Sequence, residues 1–489
     1  MVKETDRALR GFCYNKGMNI HLIHTNDVHS HYEEFLKLAS SIRDLRDELQ
    51  ARGEIVFLFD IGDHADRSRA ETDGTFGLTN AALLRELGYD GFVFGNNEGL
   101  TLPQQSWEAF CQEASIPVLV SNLFKLEDGR RYPFFREHSL IYREGVTLGV
   151  FGLTAPFATY YERGGVQVVN PEECAVEQVR ILREKGADII VLLSHLGLKA
   201  DRRIAANVPG IDVILGGHTH HVLERPERVG DTWIGQAGKY AAYYGHMVLD
   251  YDHISRKVRD VSGIVIPNEE ENEVDGELAR VFSEWREVAQ RTLSTVVADL
   301  PCTLYNRIDG ESPLANLLAD ELRLLTGTEI AFFNTGTLLS SLGPGAVTKM
   351  MLLNCCPSPI MPVTGKYTGA ELKRIFAKSL LPAYFEKIGF GFGFRGREIG
   401  TMAVSGVTWE VGHDGALLSV RVGDQPLLDD HLYSCATIDY LTFSGVYEEV
   451  KLGRHLRHEP IFLRELLERA LKDPGALERA YVPRRIRKE

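Results

Sequence analysis

The chain has 489 residues, 44% hydrophobic and 25% charged, with a formal net charge of −14. That length exceeds what one hydrophobic core usually serves, so two domains are expected, and the composition is that of an ordinary globular protein. The acidic balance argues against a general binder of nucleic acid or anionic membrane, because phosphate-rich surfaces attract basic ones.

The N-terminal stretch "MVKETDRALRGFCYNKGMNIHL" lacks the apolar segment of a signal peptide, and no apolar run elsewhere is long enough to span a bilayer. A cytoplasmic protein without a membrane partner is the expectation. Met18 directly precedes the first strong strand, so residues 1–17 read as an extension. The seven cysteines (Cys13, Cys111, Cys174, Cys302, Cys355, Cys356 and Cys435) are odd in number and lack CxxC spacing, which suits free thiols in a reducing compartment.

Residues 18–267 alternate short apolar runs with polar, helix-like stretches, the pattern of an α/β domain. The expected strands are "NIHLIHTND", "EIVFLFDIGD", "DGFVFGNNE", "IPVLVSNL", "VTLGVFGLT", "ADIIVLLSHLG" and "IDVILGGHTHH". Residues 268–297 open with an acidic run and then space Leu278, Val281, Phe282, Trp285 and Val288 as one helical face, which predicts a connecting helix. Residues 298–489 mix apolar runs, glycines and short helical stretches such as "ANLLADELRLLTG" and "GAELKRIFAKSLL", which predicts a second, α+β domain.

Nearly every expected strand of the first domain ends in polar residues. Five of these ends carry Asp27 with His29, Asp63, Asn96, His195, and His218 with His220. Carboxyl ends of parallel strands converge on one sheet edge, so these residues can line a single crevice. Carboxylate, amide oxygen and imidazole together suit Mn²⁺, Zn²⁺, Fe²⁺ or Co²⁺ better than Ca²⁺ or a thiolate-bound zinc. Isolated histidines such as His24, His31, His64 and His221 read as core or surface residues.

The blocks "NDVH" (26–29), "GDH" (62–64), "GNNE" (95–98), "SH" (194–195) and "GGHTH" (216–220) resemble, in order and approximate spacing, the metal-binding blocks of calcineurin-like metallophosphoesterases. The C-terminal half resembles the 5′-nucleotidase group of that superfamily through "ESPLANLLADELR", "FFNTGT", "TGKYTGAELKRI" and "YSCATIDYLTFSGVY". The resemblance implies a four-layer αββα catalytic domain joined by a helix to a substrate domain. It implies Asp27, His29, Asp63 and His220 on one divalent ion, and Asp63, Asn96, His195 and His218 on a second, with a shared hydroxide attacking the phosphorus of a nucleotide or related ester. A cyclic-nucleotide phosphodiesterase or a nucleotide-sugar pyrophosphatase is an alternative activity, and a nucleotide sensor an alternative of another class. Oligomeric state is left open.

Two departures from the family pattern stand out. The usual GNHE is followed two positions later by an acidic residue, the pair that assists the leaving group; Asn97 and Leu100 stand there instead. An amide donates hydrogen bonds but supplies neither a proton nor a positive charge. Arginines that commonly follow the Asn-x-Gly of 5′-nucleotidases are replaced in "NTGTLLSSLG" by Leu339 and serines. Tyr447 and Phe394 are candidates to stack on a base, and Arg395 and Arg397 to replace the missing arginines.

Overall fold

A computed structural model describes residues 18–391 and 393–488; the expected extension 1–17 lies outside the described residues. Two six-stranded sheets form the centre of the N-terminal domain. The first runs in the spatial order Lys257–Pro267, Tyr243–Asp252, Met18–Thr25, Ile55–Asp60, Gly91–Val93, Val118–Leu119. The second runs Glu227–Val229, Thr232–Gln236, Val213–Gly216, Ile189–His195, Val146–Thr154, His138–Arg143. In both, the central strands pair in parallel.

The residue pattern explains the layering. Successive side chains of a strand point to opposite faces, so a strand covered on both sides must be apolar throughout. In Ile55–Asp60, Ile55, Phe57 and Phe59 enter a core between the two sheets, while Val56 and Leu58 join the cluster under the outer helices. In Ile189–His195, Ile189, Val191 and Leu193 meet the same inner core, and Ile190 and Leu192 pack beneath the helices Pro171–Glu184 and Leu198–Asn207. The result is the four-layer αββα arrangement. Each fully buried Leu, Ile, Val or Phe contributes about 1.5–3 kcal/mol relative to exposure, so the inner core is a major source of stability.

The seven apolar runs of the sequence reading all coincide with strands. The structure adds the antiparallel ribbon Tyr243–Asp252 and Lys257–Pro267, whose alternating burial leaves it facing solvent on one side. It also ends the "DGFVFGNNE" strand at Val93, and Asn96 opens a six-residue helix, Asn96–Thr101.

The connecting helix is Gly276–Leu293. Asp275 caps it by accepting from the backbone N–H groups of Glu277 and Leu278, a contribution of about 1 kcal/mol. Leu278, Val281 and Phe282 belong to the N-terminal core, and Arg43 pairs with Asp275 at 2.6 Å, so the helix is packed as part of that domain.

The C-terminal domain is built on a five-stranded mixed sheet, in the order Met402–Ser405, Ile330–Asn334, Leu432–Ile438, Pro362–Thr368, Arg454–His458, beside a four-stranded one. The helices Pro313–Thr326, Gly369–Ser379 and Leu463–Ala470 close over a single core. Tyr447 and Phe394 belong to this core, which corrects the expectation that they stack on a ligand. Tyr447 is fully buried with its ring on Tyr384, and Phe394 is 5% exposed and stacked on Tyr440, so neither offers a free ring face. The six described cysteines are free thiols. Among the described residues no helix is long and apolar enough to cross a membrane.

The domains meet through polar and aromatic contacts. Arg464 of the C-terminal domain bonds Asp73 at 2.6 Å, and Arg67 bonds both Asp73, at 2.8 Å, and Glu465, at 3.1 Å. Tyr160 stacks on His458 with ring centroids 3.7 Å apart, and Arg163 bonds the carbonyl of His458 and the carboxylate of Glu459.

Candidate metal centre

All seven expected ligand residues gather at the carboxyl edge of the two sheets. Asp27, His29, Asp63 and Asn96 come from the first sheet, and His195, His218 and His220 from the second. Five of them (Asp27, His29, Asp63, His218 and His220) hold φ between 48° and 70°, in the left-handed region that side chains other than glycine rarely adopt. Each such conformation costs on the order of 1–3 kcal/mol and persists only where neighbours over-determine it.

Those neighbours are visible. Backbone bonds from Asp27 to the carbonyl of Gly62 and from His29 to that of Asp63 zip the first two loops together. The buried Glu98 carboxyl accepts from the N–H groups of Asp63, Ala65 and Gly95 at 3.0, 2.7 and 2.9 Å, tying the second loop to the third. Gly95 is required by space, since a Cβ there would lie 2.2 Å from Oδ1 of Asp63. Asn26 donates to Asp27 Oδ2 at 2.7 Å while its own oxygen accepts from Ala237, and the N–H of His218 donates to both Asp27 oxygens.

Two groups of donors result: Asp27, His29 and His220, and Asp63, His195 and His218, with the ligand atoms inside each group within 4.8 Å of one another. Nε2 of His195 lies 3.3 Å from Asp63 Oδ1 and 3.2 Å from Asn96 Oδ1, so the amide oxygen joins the second group. Asp63 faces both, its Oδ2 standing 3.8 Å from His29 Nε2. Nδ1 of His195 donates to the carbonyl of Ile61 at 2.7 Å, which turns Nε2 inward, as outer partners of ligating histidines do. Carboxylates paired with imidazoles on a strained, cross-braced edge fit borderline divalent cations.

Electrostatics follow from burial and proximity. Burial opposes ionisation of Asp63, yet the charges of His195 and His29 hold its carboxyl below the usual range. Burial likewise opposes protonation of His195, but Asp63 and Asp27 raise it to about 10. Burial lowers His218 to about 4, its ring meeting the edge of Phe157 at 5.7 Å. The group attracts positive charge and offers one neutral imidazole.

The remaining expected residues fall out differently. Asn97 places Nδ2 2.9 Å from His29 Nδ1 and 3.1 Å from the carbonyl of Ala65, and its backbone N–H donates to Asp63 Oδ1 at 2.7 Å. Arg395 reaches the site from the C-terminal domain, with Nη2 2.6 Å from Asp66 Oδ2. Arg397 is 83% exposed and pairs with Glu398, its chain neighbour. His24 and His64 are buried and His221 is exposed, while His31 stacks on Tyr240. Leu100, with Tyr160, Met361 and Phe462, lines an interdomain cavity of about 250 Å³. None of the seven ligand residues lines that cavity, which adjoins the centre across the helix Asn96–Thr101.

Sequence reasoning missed Asp66 and Glu98. Each stands within three residues of a proposed ligand, Asp63 or Asn96, and a carboxylate so close to a ligand was a usable signal.

Residues 20–222 match the family described as calcineurin-like phosphoesterase, and residues 293–448 match the 5′-nucleotidase C-terminal domain. These matches on this fold and donor set define a metal-dependent hydrolase. The chain is 36% identical to the metallophosphoesterase YunD of Bacillus subtilis (strain 168) over 454 residues, which cover 92% of this chain and 98% of that one. It is 25% identical to a 5′-nucleotidase of Vibrio vulnificus, covering 72% of this chain and 74% of the relative. Among solved structures, the NAD nucleotidase of Haemophilus influenzae shares the fold at a TM-score of 0.68 and 15% identity, covering 97% of this chain and 100% of that one. The chain belongs to the 5′-nucleotidase family of calcineurin-like metallophosphoesterases.

Proposed function

We propose that the chain is a two-metal phosphoesterase that hydrolyses a nucleotide or a related phosphate compound, with Asp63 shared between the ions. The observation that carries this reading is the division of the site into two donor groups facing one carboxylate. Divalent cations held there supply Lewis acidity, activating water and neutralising charge on the phosphoryl oxygens.

The chain's own residues prepare that chemistry. Asn26 and the His218 N–H fix the orientation of Asp27, and the Ile61 carbonyl fixes the tautomer of His195. The C-terminal domain brings Arg395 beside the site, where a guanidinium suits a phosphate or ribose oxygen. The nucleotide-acting relatives in the family support a small phosphate compound as substrate.

A second reading of substrate rests on Asn97. Its amide is bonded to His29 and Ala65 and carries no transferable proton, so leaving groups that depart as stable anions are favoured. Phosphoanhydrides, such as nucleotide sugars, and aryl esters meet that condition better than ribose 5′-phosphates. Free thiols at the six described cysteines support a reducing compartment such as the cytoplasm as its location.

The test uses full-length protein stripped of metal, reconstituted with Mn²⁺ and offered a nucleoside monophosphate, a cyclic nucleotide, a nucleotide sugar and an aryl phosphate. Two ions per chain with turnover of at least one compound is the expected result. Binding of a nucleotide without turnover would favour a sensor instead.

A further inference from the structure

Asp66 lies three residues beyond Asp63 in the same loop and is 3% exposed. Its Oδ1 accepts from the N–H of Ser68 at 2.8 Å, and its own N–H donates to Ser30 Oγ at 2.8 Å, so the carboxylate is fixed in place. Its Oδ2 faces two cationic or potentially hydrogen-bearing groups: Nη2 of Arg395 at 2.6 Å and Nδ1 of His29 at 3.8 Å. Arg395 is itself positioned by its N–H, which donates to Ser358 Oγ at 3.0 Å.

The chemistry of His29 makes this arrangement consequential. Its Nε2 is the atom turned toward Asp27, Asp63 and His220. To hold a cation through Nε2 the ring must carry its hydrogen on Nδ1, and that hydrogen needs an acceptor. Asn97 presents Nδ2, a donor, to the same atom. Turning the amide over would set Oδ1 against the Ala65 carbonyl, which Nδ2 now satisfies at 3.1 Å. The carboxylate of Asp66 is the neighbouring acceptor that meets no such conflict.

We infer that Asp66 is a positioning residue for the His29 ion, which would accept the His29 Nδ1–H once an ion on Nε2 ends the Asn97 bond to Nδ1 and the 3.8 Å gap closes, and that Arg395 competes for this carboxylate from the C-terminal domain and so couples domain contact to metal affinity. A carboxylate behind a ligating histidine raises its basicity. A guanidinium on that carboxylate withdraws charge from it and repels the cation, so Arg395 in place weakens the ion and Arg395 displaced strengthens it. The inference rests on the two-metal reading above and concerns one of the two ions only.

The experiment is calorimetric titration of metal-free, full-length protein with Mn²⁺, for the wild type, Asp66→Asn, Arg395→Gln and the double variant. Asp66→Asn is expected to weaken one ion about 10–100-fold and leave the other unchanged. Arg395→Gln is expected to tighten that same ion by about 3–10-fold. The double variant should bind as Asp66→Asn does, because the guanidinium acts through the carboxylate. Two Mn²⁺ ions bound with unchanged affinity in Asp66→Asn would overturn the inference and leave the two-metal reading intact. Equal tightening by Arg395→Gln with and without Asp66 would also overturn it. Wild-type protein that takes up no Mn²⁺ would overturn the metal reading and the inference together. Should Asp66→Asn not fold, Arg395→Gln decides alone, since it sits at a part-exposed position and unchanged Mn²⁺ affinity there refutes the coupling.

Discussion

Nδ2 of Asn97 lies 2.9 Å from Nδ1 of His29, so the side chain at the usual position of a leaving-group acid is bonded to a candidate ligand. Alkyl monoesters, whose leaving oxygen needs a proton, should therefore be handicapped. Losing one transition-state contact of this kind costs on the order of 10²–10³ in turnover in other enzymes, roughly 3–4 kcal/mol. The double variant Asn97→His, Leu100→Asp restores an imidazole and a carboxylate one helical turn apart. It should raise kcat/KM on a nucleoside monophosphate at least about tenfold and change aryl phosphate turnover little. Steady-state kinetics on both substrates decide it, and a wild type that already prefers the monophosphate, with no gain in the double variant, would end the idea.

Asp63 faces both donor groups, and its removal should affect both ions at once. Asp63→Ala is expected to bring hydrolysis down by at least about 10²-fold and metal content below two ions per chain. Elemental analysis after reconstitution, alongside the rate, checks the pair of effects.

Gly95→Ala tests the same carboxylate without touching it. A Cβ at this position would stand 2.2 Å from Asp63 Oδ1 and 2.3 Å from the Asp63 nitrogen, so the loop must shift. Mn²⁺ affinity should fall about tenfold or more while the far-ultraviolet spectrum of the C-terminal domain persists. Unchanged affinity would mean that the third loop gives way freely.

His24 is buried between the sheets with both ring nitrogens unpartnered, and burial lowers it to about 3. The native state thus keeps it neutral, whereas the unfolded chain protonates it near its ordinary value of about 6.5. Its contribution is complete above that value and is lost as pH falls toward about 3, at about 1.4 kcal/mol per pH unit. Urea unfolding of chelator-treated protein between pH 7 and pH 5 should show a shallower loss of stability in His24→Leu than in the wild type. Parallel slopes would show that His24 is protonated in the folded state.

Asp73 neutralises two nearly buried guanidinium groups, those of Arg67 and Arg464. Asp73→Ala leaves the buried Arg464 without its carboxylate partner and Arg67 with Glu465 alone, and should destabilise the chain by about 3–5 kcal/mol. Denaturant titration measures the loss, and small-angle scattering should report a larger radius if the domain contact opens.

The αββα layering was readable because both faces of its strands are covered, which makes the runs continuous and apolar. The ligand set was readable because strand ends converge by topology. What escaped the sequence is relational. Arg464 meets Asp73 across 391 residues, and no local pattern announces such a pair. Tyr447 has the composition of a stacking residue, but only the packing shows that Tyr384 already covers its ring. The positive φ values at Asp27 and His29 are likewise silent in the sequence, since their residue types do not demand that backbone.

The docking of the helix Gly276–Leu293 on the N-terminal domain determines where the chain can turn. Arg43 grips its start, and Ala289 lies against Gly74 near its end. The N–H of Ser294 still bonds back to Gln290, while the carbonyl of Thr295 already accepts from Lys349 in the C-terminal domain. The covalent pivot between the two bodies is therefore the short link from Ser294 to Thr295, and the helix is a fixed mounting. Any rotation of the C-terminal domain about that pivot would have to open the ion pairs of Asp73, Glu465 and Glu459 and the Tyr160–His458 stack, and would carry Arg395 away from Asp66.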